Sequence, residues 1–110
     1  MAKKKMPQHV AQAVIDRADG SCEVMNFPFC TGTAGPIHHR KISGREHSVS
    51  ACIHICKPCH DWIHANPAVS YERGWLVKMN RDPAETPVFY QWRFVRLADD
   101  GTIREEDGEP

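Results

Sequence analysis

Apolar side chains recur at helical spacing near the start of the chain. Pro7 is the kind of residue that opens a helix, and Asp-Gly at 19–20 is a stop signal. Between them, positions three and four residues apart fall on one face of a helix. The pattern therefore predicts an α-helix over residues 8–19. The positions on that face are Val10, Ala13, Val14 and Arg17.

Residues 21–35 show little periodicity and are interrupted by Pro28, Gly32 and Gly35. A loop of this kind needs a cross-link to hold it in place. Beyond the loop, residues 36–39 and 51–55 have the pattern of two short strands, separated by a polar turn region.

A helix is expected from Lys57-Pro58 to about Ala65, where Asn66-Pro67 would end it. The predicted order over residues 21–66 is therefore loop, strand, loop, strand, helix.

After Pro67 the pattern changes to aromatic and β-branched residues, with strand candidates at residues 74–77 and 88–95. Residues 99–102, Asp-Asp-Gly-Thr, indicate a turn. Four aromatic residues alternate in these stretches and are expected to form a small second core. They are Trp75, Phe89, Trp92 and Phe94.

With 110 residues, 8 of them Pro and 7 Gly, the chain has room for one domain with short elements. We expect an α+β fold with an N-terminal helix at 8–19, a core at 21–66, a β extension at 67–98 and an acidic tail at 99–110. No apolar run approaches the roughly 18 residues of a membrane span, and no signal peptide is recognisable. A cytoplasmic location without membrane attachment is the expectation.

The formal net charge is zero, but the charges are unevenly placed. Residues 1–60 hold 8 Lys or Arg against 4 Asp or Glu, whereas residues 99–110 hold one Arg against 6 acidic residues. An acidic tail therefore offsets a basic body. Such a tail is ordinarily a solvated chain end, and the alternative is that it competes with phosphate for the basic residues.

Five cysteines in a chain expected in a reducing compartment favour metal binding over disulfides. Cys56 and Cys59 have the two-residue separation of a zinc knuckle, and Cys22 and Cys30 supply a second, wider pair. Together they predict a closed structural zinc site. The alternative is that they are buried free thiols, but their surroundings are polar. Cys52, in an apolar strand, is expected to pack in the core.

Four of the seven histidines form a second pattern. His60 and His64 are four residues apart on the predicted helix, so their rings share one face and can bind one metal ion. His38 and His39 are neighbours on a strand, so they point to opposite faces. One can bind the metal while the other addresses a water molecule.

The remaining histidines show no such arrangement. His9 and His47 are expected to be surface residues, and His54 either packs in the core or supports a metal ligand.

These motifs resemble the HNH endonucleases, particularly the short zinc-knuckled type of phage and bacterial genomes. The resemblance covers most of residues 14–103 and is specific at the metal motifs. It is carried by Cys22-Glu-Val, Cys30-Thr-Gly, His38-His39-Arg-Lys and the run from Cys56 through Cys59-His60 and His64 to Pro67.

The resemblance implies a small ββα-metal, treble-clef-like fold and a DNA endonuclease that leaves 5′-phosphate and 3′-hydroxyl ends. His39 would be the general base. The ligands of a catalytic Mg²⁺, Mn²⁺, Ni²⁺ or Zn²⁺ ion would be His38, His60 and His64. Those of a structural Zn²⁺ would be Cys22, Cys30, Cys56 and Cys59.

One position departs from the family pattern. The asparagine of the HNH motif would fall five residues before the first knuckle cysteine, where this chain has Ala51. In the family this side chain holds the loop that orients the general base, so its absence puts the rate in doubt. Ser50 could replace it only through a one-residue shift, which strand alternation opposes.

DNA is the expected partner, and a nonspecific nuclease needs phosphate contacts more than base contacts. The cations that flank the proposed centre are Arg40, Lys41, Arg45 and Lys57. For each of these, the alternative is an ordinary solvated loop residue.

Two further functions stay open. One is a noncatalytic zinc-stapled module that binds nucleic acid or protein, and the other is a hydrolase of another phosphate ester. Genes of this type can lie near phage packaging genes, which suggests a terminase partner and the host cytoplasm. The oligomeric state is left open, although a break in both strands would require a dimer or a partner.

Overall fold

A computed structural model describes residues 6–26, 28–41 and 47–105 of the chain. Its first element is helix α1, Gln8–Ala18, which buries the face that contains Val10 and Val14. Asp19 ends the helix in the left-handed conformation, with a φ of 51°. The predicted N-terminal helix is confirmed, one residue shorter than expected.

The middle of the chain has the predicted order of strand, loop, strand and helix. The strands β1, Ile37–His39, and β2, Cys52–His54, form a two-stranded antiparallel sheet in which His39 lies opposite Cys52. A 3₁₀ turn, Val49–Ala51, occupies the beginning of the predicted second strand. The helix that follows β2 is α2, Lys57–Ala65.

A further helix, α3, Pro67–Glu72, follows α2 directly. Pro67 was expected to end helical structure, but a proline is compatible with the first turn of a new helix because the N–H it lacks would be unpaired there. The predicted β extension over residues 67–98 is therefore wrong at its beginning, which is helical.

The predicted strand at 74–77 is wrong, because this segment forms a turn and a bend outside both sheets. The backbone N–H groups of Trp75 and Leu76 both donate to the carbonyl of Ser70 at the end of α3. Gly74 has a φ of 75°, and a Cβ there would collide with the carbonyl oxygen of Pro87. Close packing of the two backbone segments therefore replaces strand pairing.

The C-terminal part forms a three-stranded antiparallel sheet in the order β3-β4-β5. The single strand expected at 88–95 is a hairpin, because the chain reverses at Gln91 and Trp92, whose φ values are 46° and 77°. Positive φ at both central residues is the geometry of a tight hairpin turn, usually made by Asn-Gly. The strands are β3, Val88–Tyr90; β4, Arg93–Leu97; and β5, Ile103–Glu105.

Tertiary contacts hold this unusual turn. The Gln91 N–H donates to the carbonyl of Glu23, and the Gln91 side chain donates to that of Cys22. The predicted turn at 99–102 is present, with Asp100 accepting a hydrogen bond from the N–H of Thr102. Since β5 follows it, the expected acidic tail at 99–110 begins as part of the sheet.

One main core joins the cysteine loop, α2 and the three-stranded sheet, and a smaller one lies between α1 and the beginning of β2. Trp75 lies in the main core, so the prediction of a separate aromatic core is wrong. Phe89 packs against the main core, whereas Trp92 and Phe94 are 63% and 41% exposed. The α+β class is confirmed.

A fully buried carboxylate connects these parts. Glu23 accepts two hydrogen bonds from the guanidinium of Arg17, at 2.7 and 2.9 Å. It also accepts one from the hydroxyl of Tyr90 and one from the N–H of His54, each at 2.7 Å. Burial, together with the charge of Glu23, raises the pKa of Tyr90, which keeps this hydroxyl a donor. The network ties α1, the cysteine loop, β2 and β3 together.

Glu23→Gln is expected to lower the free energy of unfolding by about 3 to 5 kcal/mol, because it leaves the buried Arg17 guanidinium without its counter-charge. Urea denaturation monitored by circular dichroism measures the loss.

Glu105→Gln is the matched control. Glu105 pairs with Arg93 at 2.8 Å but is 67% exposed, so its loss is expected to cost less than about 1 kcal/mol. Equal stability of the two variants would contradict the central role assigned to Glu23.

Candidate metal centres

Four of the five cysteines come together at one point. Cys22 and Cys30 lie in the loop after α1, Cys56 immediately precedes α2, and Cys59 lies in its first turn. Their sulfur atoms all lie within 4.8 Å of one another. The wide first pair and the knuckle pair thus form one cluster, as the sequence predicts.

The dimensions of this cluster suit a tetrahedral ion. With a Zn–S bond of about 2.3 Å, two sulfurs of a tetrahedron lie about 3.8 Å apart. The Sγ atoms of Cys30 and Cys56 are 3.8 Å apart. Backbone N–H groups also point at the sulfurs, from Gly32 to Cys30 at 3.2 Å and from Thr31 to Cys56 at 3.5 Å. Such donors stabilise thiolates.

Protons held by the four thiols would compete with a bound cation. A hydrogen bond with Cys59 lowers the pKa of Cys22 to about 5, and the same contact raises the pKa of Cys59. Burial raises the pKa of Cys30 to about 11. A metal ion would displace the protons that these thiols retain, so its binding would strengthen as the pH rises.

The four cysteines could therefore hold a metal such as zinc, with protein atoms filling all four positions. Cys52 stands apart from them. It is fully buried with Val10, Val14 and Val49 in the smaller core. The expectation that Cys52 packs as an apolar side chain is confirmed.

A second cluster lies between β1 and α2. His38, His60 and His64 each offer a ring nitrogen, and these atoms lie within 4.8 Å of one another. The rings of His60 and His64 are 4.6 Å apart between centroids, one helical turn along α2, and His38 lies 5.3 and 5.4 Å from them. Three imidazoles leave room for further ligands, which is typical of a catalytic rather than a structural site.

The backbone orients His38 within this cluster. Its Nε2 lies 2.9 Å from the carbonyl oxygen of Trp75, which can only accept a hydrogen bond, so Nε2 carries the proton. The unprotonated Nδ1 then has the lone pair that can bind a metal ion. Burial lowers the pKa of His38 to about 3, and burial also lowers the pKa of His60. Both imidazoles are therefore neutral at physiological pH, the form that binds metals.

His39 points away from the other three histidines, as alternation along a strand requires. Its Nε2 lies 3.2 Å from Nδ1 of His47, and the two rings are 5.2 Å apart. His47 is half-buried, so the prediction that it is a plain surface residue is wrong. No sequence spacing signals this contact, because it spans the loop between β1 and β2.

His54 plays a structural part. Its Nε2 donates to the carbonyl of Gly35 at 2.8 Å, which fastens the cysteine loop to β2. Its Nδ1 is buried and, among the residues that the structure describes, has no hydrogen-bond partner.

Two of the expected phosphate-binding cations are buried instead. Arg40 is fully inaccessible, and its guanidinium donates to four backbone carbonyls, those of Ser50, Gly74, Pro83 and Thr86. Burial lowers its pKa to about 9. Lys41 is 9% exposed and donates to the carbonyl of Met79. The interpretation of both as DNA contacts is corrected, because irregular backbone needs their donors.

The other two cations differ. Lys57 is exposed at the beginning of α2 and pairs with Asp61 at 3.0 Å, where it can reach a ligand. Arg45 lies outside the described residues.

Comparisons of the chain with protein-family models, with curated proteins and with solved structures found no match. Within residues 6–26, 28–41 and 47–105, no helix combines the length and the apolar character needed to cross a membrane.

Purified protein is expected to hold about one zinc per chain, and Cys59→Ala is expected to lose it and to unfold at lower temperature. Metal analysis and thermal denaturation measure both. The control is Cys52→Ala, which removes a buried thiol outside the cluster and should keep the metal. Full zinc content in Cys59→Ala would contradict the assignment.

Proposed function

We propose that this chain is a metal-dependent DNA endonuclease of the HNH type, which hydrolyses phosphodiester bonds to 5′-phosphate and 3′-hydroxyl ends. The observation that carries the proposal is the convergence of His38, His60 and His64 beside a four-cysteine cluster. The same α2 supplies ligand atoms to both clusters, from Cys59 to one and from His60 and His64 to the other.

In the proposed enzyme His38, His60 and His64 hold a divalent cation, Mg²⁺, Mn²⁺, Ni²⁺ or Zn²⁺. When bound, that cation supplies stabilisation of the negative charge that develops on the phosphate and on the leaving 3′ oxygen. The bond from His38 to the carbonyl of Trp75 fixes its tautomer. Two ligands on adjacent turns of α2 and one on β1 make the site a joint property of helix and sheet.

His39 is the proposed general base. A neutral imidazole can accept a proton from the attacking water, and its position next to His38 in sequence but on the other face of β1 separates proton transfer from metal binding. The contact with His47 at 3.2 Å restrains the ring of His39. His47 therefore supports the orientation of the base.

A structural zinc on the four cysteines completes the proposal. It would tie the loop of Cys22 and Cys30 to the first turn of α2, which also carries His60. Loss of this ion would move the histidine cluster as well as destabilise the fold.

A noncatalytic, zinc-stapled nucleic-acid-binding module is the second candidate. The observation that favours it is Ala51, which is 1% exposed and places a methyl group where the family has its asparagine. In that case the histidine cluster would bind a cation without turning over DNA.

Supercoiled plasmid incubated with the protein and Mg²⁺, Mn²⁺ or Ni²⁺ distinguishes the two. The first proposal expects conversion to nicked circles, a fall of at least about 100-fold in rate for His39→Ala, and a comparable loss for His64→Ala through metal binding.

His9→Ala is the matched control, because His9 is an exposed histidine on α1. This variant should nick the plasmid at the wild-type rate. Absence of nicking with every metal, or equal nicking by His39→Ala, would exclude the enzyme and leave the binding module.

A further inference from the structure

The stretch after α3 runs beside β1 and the residues that follow it. His38 donates to the carbonyl of Trp75 at 2.9 Å, and the N–H of Val77 donates to the carbonyl of Arg40 at 2.7 Å. Lys41 then donates to the carbonyl of Met79 at 3.2 Å. The chain from 75 to 79 is thus fastened, step by step, along the segment that begins at the histidine cluster.

A cationic turn follows from this fastened segment. The N–H of Arg81 donates to the carbonyl of Lys78 at 2.9 Å, which closes a four-residue turn and brings the two residues to the same side of the fold. Both side chains are exposed, and both line one open cavity of about 230 Å³. Tyr71 and Thr86 line the same cavity, and the hydroxyl of Thr86 already donates to the carbonyl of Asp82 at 2.8 Å.

The charges in this cavity are unbalanced. Within the part of the chain that the structure describes, neither Lys78 nor Arg81 forms an ion pair. The neighbouring Asp82 turns its carboxylate to the N–H of Ala84 at 2.9 Å. Lys78 and Arg81 thus share a cavity that has no acidic residue in its lining. A phosphate group suits such a pair, because it takes a point charge from Lys and planar donors from Arg.

We propose that Lys78 and Arg81 bind a backbone phosphate of the DNA strand that occupies the histidine cluster, in the role that the buried Arg40 and Lys41 cannot fill. The inference rests on the proposed function and adds a DNA contact to it. Lys78 follows Trp75 by three residues, so their Cα atoms are at most about 11 Å apart. Because the carbonyl of Trp75 contacts His38, this short tether limits how far Lys78 can lie from the histidine cluster.

Binding of a labelled DNA duplex, measured by fluorescence anisotropy without added divalent cation, tests the site. Lys78→Gln and Arg81→Gln are each expected to weaken binding roughly fivefold and to reduce the slope of log K against log salt by about 1, and the double variant by about 2. Both residues are exposed, so thermal stability should not change.

Arg104→Gln is the control, because Arg104 is an exposed cation on β5 outside this cavity. An unchanged salt slope in the double variant, or an equal loss in Arg104→Gln, would overturn the proposal. A third outcome would also overturn it. If inorganic phosphate shifts the NMR resonances of Lys78 and Arg81 but neither substitution changes duplex binding, the site binds a free anion and not DNA.

The same proteins tested for nicking separate this inference from the proposed function. Duplex binding that depends on Lys78 and Arg81 without any nicking would remove the enzyme and support the phosphate site. Nicking by wild type and by the double variant at equal rates at low DNA concentration would support the enzyme and overturn the phosphate site.

Discussion

Glu23 places a carboxylate where solvent does not reach it, and the donors that satisfy it come from three separate parts of the chain. A buried charge is tolerated only when its partners are all in place, so α1, β2 and β3 must assemble together around it. Glu23 also follows Cys22 directly, and its own carbonyl receives the N–H of Gln91 at the hairpin turn. The network around Glu23 therefore fixes the backbone next to Cys22, at one side of the cysteine cluster.

Guanidinium groups carry out a second structural task. The carbonyls of the turn before β2 and of the first residue of β2 accept hydrogen bonds from side chains, as buried irregular backbone often requires. Arg17 donates to the carbonyls of Val49 and Cys52, and Arg40 to that of Ser50. A positive charge near a metal motif is thus as compatible with holding backbone as with holding DNA. Lys78 and Arg81 differ from these arginines because their side chains are exposed.

Both metal clusters could be anticipated because their ligand spacing is local: Cys56 and Cys59 share a knuckle, and His60 and His64 share a helix face. The burial of Arg40 could not be predicted, because a charged residue in a sequence does not show whether its side chain is buried or exposed. The missed hairpin has the same cause. Gln91 and Trp92 carry no turn signal in the sequence, and the structure holds the turn by hydrogen bonds from Gln91 to the carbonyls of Glu23 and Cys22. The sequence did give one sign of the buried role of Arg17, because this charged residue has the same helical spacing as the apolar face of α1.

The alanine at the usual asparagine position bears on the proposed enzyme through this same turn. In the family that the motifs resemble, a side-chain amide holds the loop that orients the base. Ala51 has no such group, yet its carbonyl accepts the N–H of Arg40 at 2.7 Å, and the next carbonyl, of Cys52, accepts from Arg17 at 2.6 Å. Cys52 lies opposite His39 in the sheet, so the guanidinium supports the backbone that faces the proposed base. In the proposed enzyme, these arginine contacts would support the loop in place of the amide, so a general base at His39 would not need the missing residue for that purpose.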